Sequence, residues 1–345
     1  MPNICVIDIG GTNFRCGVYR QGSLNRTTVV KSYTPGYKIN THSIDSIQSS
    51  LVERIASAYT EKVQRFGNLP VLAIGFPGPV AVNGIVRQSS VVFGADLKKP
   101  FDLRGELNRR FKNRPCQPKV ILVTNDMTAS AWRYADSGHD PFCLITVSSG
   151  IGNKIFARGD VLIGEDGLAG EIGHYAVEIP GLAIPCSCGS GNNHVGMISS
   201  GRGVELFARR FARRGGAYRA QFLGSKIGRD VEFEASNLSN EKLARAADQG
   251  DTFCRRVIDF CTVPLAHAIC LLALAQYLRK FILIGGFALH CDYYRVALIE
   301  NVIRKGIYNL GESQIRKMII CGKHDDDHTL IGLGRMTEKR RFRPD

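Results

Sequence analysis

The sequence predicts an α/β protein made of two related domains in tandem. Residues 4–33 show three apolar strand patterns separated by turns, and a helical pattern and a further strand follow them. A similar layout of strand, glycine turn and strand recurs from Phe142. The length of 345 residues suits two domains of ordinary size. Two similar α/β units predict two related domains with a cleft between them.

The first unit opens with the run I-C-V-I-D-I-G, which predicts a strand, and two more strands follow in R-C-G-V-Y-R and T-T-V-V-K-S-Y. A helical pattern from about Ile44 to Phe66 precedes the strand V-L-A-I-G. The strand V-I-L-V-T then ends at Asn125-Asp126, before the helical pattern M-T-A-S-A-W-R-Y-A. We assign residues 1–126 to a small N-terminal domain, which we expect the C-terminal helix at about 329–345 to join.

The second unit starts with the strand F-C-L-I-T-V and continues through a glycine turn into K-I-F-A-R-G-D and V-L-I-G. Residues 202–280 are mostly helical in pattern, and F-I-L-I-G-G at 281–286 predicts a buried strand that ends in glycines. Residues 323–328 predict a polar loop before a final helix. We therefore assign residues 127–328 to a large α/β domain.

The cysteines and apolar runs give no sign of disulfides, a membrane span or a secretory signal. The 11 cysteines are an odd number, and most lie in apolar runs, where a reduced thiol acts as a small hydrophobic group. The apolar run at 269–275 is too short to cross a bilayer, and the N-terminus lacks signal-peptide features. We expect a cytoplasmic protein with no membrane partner.

The net charge of +14 comes partly from arginine clusters, such as Arg209-Arg210 with Arg213-Arg214. Clusters of this kind are typical of nucleic-acid-binding proteins. A basic surface that attracts anionic substrates such as ATP is the alternative. We favour the second interpretation and expect no nucleic-acid partner, because the sequence contains no recognisable DNA-binding motif.

Glycine turns at three places are candidates for phosphate or nucleotide binding. Glycines in a turn after a strand expose backbone N–H groups that can hold phosphate oxygens, and a nearby aspartate can approach a phosphate-bound Mg²⁺. Each turn alone is also compatible with an ordinary hairpin or packing turn. Two such turns in duplicated units favour an ATP clamp. The candidate residues are Asp8, Gly10, Gly11, Thr12, Ser149, Gly150, Gly285 and Gly286.

Asn125 and Asp126 lie where a buried strand gives way to a helix. A carboxylate there can accept the proton of a substrate hydroxyl that attacks a γ-phosphate, while the neighbouring amide holds another hydroxyl. Both residue types are also favoured as helix N-caps. The spacing alone leaves the two interpretations open.

The segment from Gly170 to His194 contains two groups of polar side chains. Glu171 and His174 can form hydrogen bonds with a polyhydroxylated ligand, whereas thiolates and imidazoles are zinc ligands. Among the cysteines, Cys186 and Cys188 alone form a pattern, so a zinc site in this segment is one interpretation.

Taken together, these motifs resemble those of the ROK (repressor, open reading frame, kinase) family. The resemblance rests on motifs that occur in the family's order over nearly the whole chain: residues 8–12 (D-I-G-G-T), 75–80 (G-F-P-G-P-V), Asn125-Asp126, residues 169–174 (A-G-E-I-G-H), Cys186-x-Cys188-Gly189 and Gly285-Gly286.

The resemblance implies the actin/hexokinase fold, which is ribonuclease H-like, and phosphorylation of hexoses with ATP and Mg²⁺. It implies that Asp126 is the general base, that Asn125, Glu171 and His174 bind sugar hydroxyls, and that the first glycine turn and Ser149-Gly150 hold phosphates. The family is usually dimeric or larger, so a homodimer is expected. Family repressors carry a DNA-binding domain before the first strand, and the position of Asp8 favours the kinase branch.

The sequence departs from the family pattern at the zinc loop. The family usually reads C-x-C-G-x-x-G-C-[LI]-E, with the histidine of G-H as fourth ligand. Here Asn193 stands at the third cysteine without a gap, and one inserted residue would bring His194 there. Together with the family pattern, this predicts a structural zinc site at His174, Cys186, Cys188 and His194. A metal-free loop with two buried thiols and an exposed histidine is the alternative. The final glutamate, which reads hydroxyls near the anomeric carbon in family sugar kinases, is also missing, since Val195 or Gly196 takes its place.

Three further departures lie in the expected substrate and phosphate segments. Residues 88–96 lack the usual Asn-Leu pair, Ser149 replaces the usual threonine, and Asn153-Lys154 stands where glycines are common. We infer a kinase that acts on the primary hydroxyl of a hexose-like molecule: glucose, an amino sugar or a C7 cyclitol. The alternative function is a non-catalytic sugar sensor of the same fold.

Overall fold

The computed structural model describes residues 3–39, 43–95, 97–112, 114–135, 141–186 and 188–340. Asp96 and residues 341–345, on which some expectations fall, lie outside these ranges. The elements up to residue 135 are β1 (Ile4–Ile9), β2 (Asn13–Arg20), β3 (Ser23–Tyr33), α1 (Ile44–Phe66), β4 (Val71–Phe76), α2 (Ser90–Phe93), α3 (Leu103–Phe111), β5 (Val120–Asn125) and α4 (Asp126–Trp132).

The later part of the chain is richer in helices. Its elements are β6 (Phe142–Val147), β7 (Ile151–Ala157), β8 (Asp160–Val161), α5 (Val195–Ser199), α6 (Gly201–Arg213), α7 (Ala217–Gly224), α8 (Lys226–Asp230), α9 (Asn240–Asp248), α10 (Thr252–Ala275), β9 (Phe281–Ile284), α11 (Gly286–Leu289), α12 (Asp292–Lys305), α13 (Glu312–Met318), β10 (Ile319–Cys321) and α14 (His328–Lys339). Short 3₁₀ turns cover Ile172–His174 and Ala235–Asn237.

The chain divides into two compact units. Unit 1 contains residues 1–139, 159–169 and 325–345, and unit 2 contains residues 140–158 and 170–324. Unit 1 thus includes α14, and it also includes residues 127–139 and 159–169, which the sequence-based division gave to the large domain. The strand expected at V-L-I-G is reduced to Val161 at the end of β8.

The sheet of unit 1 has the order β3-β2-β1-β4-β5. β1 is antiparallel to β2 and parallel to β4, and β4 is parallel to β5. Asp8 stands beside Gly75 in the register, and Phe76 stands beside Asn125. Because the carboxyl ends of parallel strands meet at one edge, the sheet brings the first glycine turn and Asn125 to the same edge of unit 1.

The sheet of unit 2 repeats this arrangement, with β10-β9-β6-β7 in the order and directions of β5-β4-β1-β2. β6 is antiparallel to β7 and parallel to β9, and β9 is parallel to β10. Each glycine turn joins the first two strands of its unit. The prediction of two related α/β units is therefore confirmed.

α1 illustrates how local sequence sets an element of unit 1. The side chain of Ser43 caps its first turn by accepting a hydrogen bond from the Ser46 N–H, and Gly67 ends it with a φ of 79°. Ile47, Leu51 and Ile55 are buried at helical spacing, so one face of α1 packs into the core of unit 1.

α10 is longer and more apolar than the sequence analysis predicted. Among the described residues it is the one helix that is long and apolar enough to span a membrane by length and composition, and 61% of its apolar window is buried inside the protein. Its N-cap is Asp251, which accepts a hydrogen bond from the Cys254 N–H at 3.0 Å. Residues such as Val257, Cys261 and Leu265 are fully buried in the core of unit 2, which explains the apolar composition.

Candidate functional site

The first glycine turn of unit 1 is held by backbone and threonine contacts. The Gly10 N–H donates to the Asn13 carbonyl at 2.8 Å, and the Thr34 hydroxyl donates to the Gly10 carbonyl at 2.7 Å. A Cβ at Gly11 would lie 2.9 Å from the Val91 carbonyl oxygen, so this position requires glycine. The turn borders a cavity of about 310 Å³, which is lined by Asp8, Gly10, Gly11, Thr12, Asn13, Arg15, Lys31 and Asp326.

Asp8 is a buried carboxylate at the base of this cavity. Burial raises its pKa, and the neighbouring Arg15 guanidinium opposes the rise. Arg15 donates through Nε to Asp8 Oδ2 at 3.1 Å and forms an ion pair with the same oxygen. Any role of Asp8 near a phosphate-bound cation must therefore compete with, or follow release of, this ion pair.

Asn125 is the N-cap of α4, and Asp126 is the first residue of that helix. Asn125 Oδ1 accepts from the Thr128 N–H at 2.9 Å, while Nδ2 donates to the Gly78 carbonyl and to Asp126 Oδ1, each at 2.9 Å. Asp126 Oδ1 also accepts from the Met127 N–H at 2.8 Å. These bonds orient the carboxylate, and they already engage both amide hydrogens of Asn125.

The segment that replaces the expected Asn-Leu pair begins close to Gly78, whose carbonyl accepts a hydrogen bond from Asn125. A Cβ at Gly78 would lie 2.2 Å from the Gln88 carbonyl oxygen and 3.5 Å from Ser89 Cα. Ser89 is only 3% exposed, and its hydroxyl has no hydrogen-bond partner among the described residues. Ser89 is thus a buried polar group whose hydrogen-bonding capacity is unused near Asn125.

The second glycine turn lies in unit 2, beside Gly285. The Ser148 N–H donates to the Gly150 carbonyl at 3.0 Å. Gly285 has a φ of +93°, and a Cβ there would lie 2.6 Å from both the Thr146 hydroxyl and the Val147 carbonyl oxygen. Gly285 therefore lets the start of α11 approach the end of β6.

A cavity of about 740 Å³ opens where this turn and α11 approach α9. Its size lies within the usual range for small-molecule sites. Ser149 and Gly286 are among its lining residues, whereas Gly150 and Gly285 are not. The complete lining is Ser148, Ser149, Asn240, Glu241, Ala244, Arg245, Asp248, Gln249, Gly286, Phe287 and His290.

Glu171 and His174 are both exposed in unit 2, at either end of a single 3₁₀ turn. Gly170 before them has a φ of +91°, and a Cβ there would lie 2.3 Å from the Asn153 carbonyl oxygen. Although Glu171 is exposed, the protein atoms around it raise the pKa of its carboxyl, and the charges of Lys154 and His174 oppose this rise. The segment therefore presents a carboxylate whose charge depends on its neighbours.

The predicted metal ligands lie together in unit 2. One ligand atom from each of His174, Cys186, Cys188 and His194 falls within 4.8 Å of all the others. Cys186 Sγ lies 3.8 Å from His174 Nδ1, and Cys188 Sγ lies 3.6 Å from His194 Nδ1. Hydrogen bonds from Ser190 lower the pKa of Cys188 to about 6, which favours the thiolate that a metal requires.

The donor set fits tetrahedral zinc. Usual zinc–sulfur and zinc–nitrogen lengths place a sulfur and a nitrogen ligand about 3.6 Å apart, which agrees with both thiol–imidazole distances. Asn193 does not belong to the set, because its amide bonds the Ile184 N–H and the Leu182 carbonyl. His194 is buried and Cys188 is exposed, so the alternative of two buried thiols with an exposed histidine does not describe this loop.

Comparison with known proteins identifies the family. The family model for the ROK family matches residues 4–339.

The chain belongs to the ROK family.

Curated relatives of this ROK protein include kinases for different substrates. It is 35% identical over 342 residues to a C(7)-cyclitol 7-kinase of Streptomyces hygroscopicus subsp. jinggangensis, a match covering 98% of this chain and 94% of the relative. It is 29% identical over 297 residues to a glucokinase of Thermotoga maritima, a match covering 83% of each chain.

Solved structures confirm the predicted fold class. A ROK family glucokinase from Streptomyces griseus, in complex with glucose and AMPPNP, aligns with a TM-score of 0.69 and 21% identity over 98% of this chain and 99% of that chain. A ROK hexokinase from Thermus thermophilus aligns with a TM-score of 0.68 and 22% identity over the same shares of the two chains. This ROK protein therefore has the α/β fold of two actin/hexokinase-like domains.

Several polar residues of this ROK protein were not predicted from the sequence, although they lie beside the predicted site residues. Arg15 and Lys31 line the cavity of the first glycine turn, and Ser89 lies near Asn125. The signal for Arg15 was available, because β2 pairs with β1 and its third residue must face Asp8. No sequence pattern marks Ser89, since its burial depends on how the loop after Gly78 folds.

Proposed function

We propose that this chain transfers the γ-phosphoryl group of ATP to the primary hydroxyl of a C7 cyclitol. The 35% identity to a C(7)-cyclitol 7-kinase, over 98% of the chain, carries this proposal. A C7 cyclitol has a carbocyclic ring with one exocyclic carbon. It therefore has a primary hydroxyl but no hemiacetal and no anomeric hydroxyl.

The residues at the position of the missing family glutamate support this substrate class. Val195 is fully buried, so it presents no group to a ligand. A Cβ at Gly196 would lie 3.0 Å from the Gly173 carbonyl oxygen, so a larger side chain there would need the neighbouring backbone to move. A carboxylate at this point would need an anomeric hydroxyl as its hydrogen-bond donor. A substrate without that hydroxyl therefore fits better into a pocket from which the carboxylate is absent.

In the proposed reaction Asp126 accepts the proton of the attacking hydroxyl. Its carboxylate is already oriented by the Met127 N–H and the Asn125 amide, which favours a fixed geometry for proton transfer. Asn125 holds a second hydroxyl through Oδ1, which accepts from that hydroxyl in addition to the Thr128 N–H of the helix cap, since its amide hydrogens are engaged within unit 1. Glu171 and His174 bind the remaining hydroxyls.

The nucleotide is assigned to the glycine turns of both units. The cavity at Ser149 and Gly286 suits the nucleoside part of ATP, and backbone N–H groups of both turns suit phosphate oxygens. Arg15 and Lys31 supply positive charge at the first turn. Mg²⁺, when bound to the phosphates, would neutralise charge that develops during transfer. Phosphate binding by Gly10, Gly11, Thr12, Gly150 and Gly285 belongs to the same proposal.

The cysteine–histidine cluster is assigned to structural zinc. A zinc ion there would join the segment of Glu171 and His174 to the loop of Cys186, Cys188 and His194. Metal analysis of untagged protein should find about one zinc per chain, as expected for a closed four-ligand site. The variant His194→Ala should lose the metal, whereas the control His290→Ala should keep it. Zinc below about a tenth of an equivalent in the parent protein contradicts this assignment.

A coupled ADP-release assay over a substrate panel tests the function. The panel contains glucose, N-acetylmannosamine and a C7 cyclitol with an exocyclic hydroxymethyl group. We expect kcat/KM for the cyclitol to exceed that for glucose by at least about tenfold, because one well-placed hydroxyl contact discriminates by this amount or more. A strong preference for glucose contradicts the substrate assignment, and absence of ADP release with every substrate favours the sugar sensor. The expected homodimer and cytoplasmic location stay predictions.

A further inference from the structure

Asn153 forms hydrogen bonds with the residues on both sides of Glu171. Its backbone N–H donates to the Gly170 carbonyl at 3.4 Å, and its side-chain Oδ1 accepts from the Ile172 N–H at 3.1 Å. Asn153 is only 1% exposed, and Nδ2 also contacts Cys143 Sγ at 3.7 Å within the core. The backbone of Glu171 is therefore fixed at both ends by one buried residue of β7.

Lys154, the next residue of β7, brings a buried charge to the same place. Its side chain is only 2% exposed, and its Cδ atom would lie 3.2 Å from a Cβ at Gly170. A Cβ at Gly170 would also lie 2.3 Å from the Asn153 carbonyl oxygen, so Asn153 and Lys154 both pack against the residue that precedes Glu171. A buried ammonium is costly to keep in a protein unless an opposite charge or hydrogen bonds compensate it.

Two glycines at 153 and 154 could supply neither of these contacts. Glycine has no side-chain amide that could accept a hydrogen bond from the Ile172 N–H, and it has no charged group to place near Glu171. The change from the common glycine pair therefore adds two side chains beside the segment that carries Glu171.

We propose that Asn153 and Lys154 are positioning residues for Glu171, which they hold in the orientation that accepts hydrogen bonds from substrate hydroxyls. Asn153 fixes the backbone on both sides of Glu171, and Lys154 packs against Gly170 and brings its positive charge to the same place. The inference rests on the proposed function, in which Glu171 contacts the substrate, and it assigns to this chain a device for strengthening that contact.

Double-mutant cycles test the proposal. Lys154→Met removes the charge at similar length, Asn153→Ala removes the acceptor for Ile172, and Glu171→Gln removes the carboxylate. The measured quantities are kcat, the KM for the C7 cyclitol and for glucose, and the KM for ATP. Each single variant should raise the KM for the cyclitol about tenfold, the usual effect of losing one charge-assisted hydrogen bond. The KM for ATP should change by less than about twofold, since no nucleotide contact is lost.

The decisive result is the effect of combining variants. If Asn153 and Lys154 act through Glu171, adding either substitution to Glu171→Gln should raise the cyclitol KM by no more than about twofold. Additive effects, or an equal rise in the KM for ATP, overturn the proposal. Lys154→Arg should recover most of the affinity, because it restores the positive charge.

A matched control distinguishes a positioning effect on Glu171 from the general loss of stability that follows removal of a buried lysine. Lys62 in unit 1 is 5% exposed and bonds the Thr28 carbonyl, so Lys62→Met loses a buried charge far along the chain. It should lower the melting temperature without a change in either KM. If Lys154→Met does not fold, the cycle of Asn153→Ala with Glu171→Gln decides. An unchanged KM in Glu171→Gln contradicts the role of Glu171 in substrate binding and with it the positioning role of its neighbours, whereas a raised KM in Glu171→Gln with additive effects of the neighbours overturns the positioning role alone.

Discussion

Asp126 is the proposed general base, and it is also the first residue of α4. It lies at the start of α4, where a carboxylate is favoured by the helix dipole, and its Oδ1 accepts two hydrogen bonds. Asn125 caps the same helix. The capping interpretation that the sequence left open is thus confirmed for Asn125, and it is compatible with catalysis, because the cap fixes the direction of the neighbouring carboxylate.

Asp126→Asn should abolish most turnover and leave the fold intact. Asparagine keeps an oxygen for the Met127 N–H but cannot accept the substrate proton, so kcat should fall about 10²- to 10⁴-fold. The KM for the substrate should stay within about threefold, because the hydroxyl contacts remain. Steady-state kinetics measure both quantities. The control Asp102→Asn replaces the N-cap of α3, which accepts from the Gly105 N–H, and should leave kcat unchanged. Undiminished turnover in Asp126→Asn means that another group is the base.

Ser89→Ala should not destabilise the protein. Its hydroxyl is buried without a partner among the described residues, so alanine should leave the free energy of unfolding unchanged or raise it by up to about 1 kcal/mol. Ser130 is a matched control, because its hydroxyl donates to the Asp126 carbonyl at 2.8 Å. Ser130→Ala should lower the free energy of unfolding by about 1 kcal/mol in denaturant titrations. A larger loss in Ser89→Ala than in Ser130→Ala contradicts this account.

At the level of elements, the sequence predicts strands and their turns more reliably than helix boundaries. The strands near Ile4, Val71 and Phe281 were expected from apolar runs, and each is buried in the interior of its sheet. The strand near Val120 was expected in the same way, but it forms the edge of its sheet and is only partly buried. α10 was underestimated because residues such as Arg255, Arg256 and Asp259 interrupt its apolar run. These charges lie on exposed or partly exposed positions of a helix in which most of the apolar residues are buried.

The candidate sites follow the same logic. Glycine turns at strand ends can be recognised locally, and so can a Cys-x-Cys pair. The cation Arg15, the orphan hydroxyl of Ser89 and the contacts of Asn153 depend on strand pairing and loop packing, which one sequence does not reveal. Register decides such contacts, because a shift of one residue moves a side chain to the other face.

Gly285→Ala should destabilise the connection between β9 and α11. The residue has a φ of +93°, and the added methyl group would collide with Thr146 and Val147. We expect a loss of roughly 1–3 kcal/mol in the free energy of unfolding. Gly286→Ala is the matched control for stability, since nothing lies within 4 Å of its Cβ position. Equal stability of the two variants in thermal unfolding contradicts the predicted strain.

At the level of the whole molecule, the duplication was the most predictable property. Both units use the same strand order and place a glycine turn between their first two strands. The assignment of residues 127–139 and 159–169 was less predictable. Strand and helix patterns give the identity of an element, but they do not say which core that element joins.

The stability of the protein should fall when the pH is lowered from 7 to 5. Burial and the charge of Arg133 lower the pKa of His328 to about 4, below the unfolded value of about 6.5. The unfolded chain therefore binds the proton first, and the native state loses roughly 1–2 kcal/mol by pH 5. Asp8 and Glu171, whose pKa values are raised, contribute in the opposite direction.

Denaturant titrations of the parent and of His328→Gln at several pH values isolate this effect. The histidine Nδ1 lies 3.0 Å from the Tyr134 hydroxyl, and glutamine can keep a polar contact there without titrating. The variant should show a flatter dependence of unfolding free energy on pH between 7 and 5. The same slope in both proteins would falsify the assignment to His328.

The pair of histidines in the cysteine cluster has a consequence for local charge balance. Zinc on three thiolates and one imidazole carries one net negative charge, whereas zinc on Cys186, Cys188 and two imidazoles is formally neutral. Glu171 lies three residues before His174, so a neutral site adds no repulsion against its carboxylate. With one fewer thiolate, the proposed zinc site would also offer one fewer sulfur to oxidants, so we expect oxidation to release the metal less readily than from a site with three thiolates.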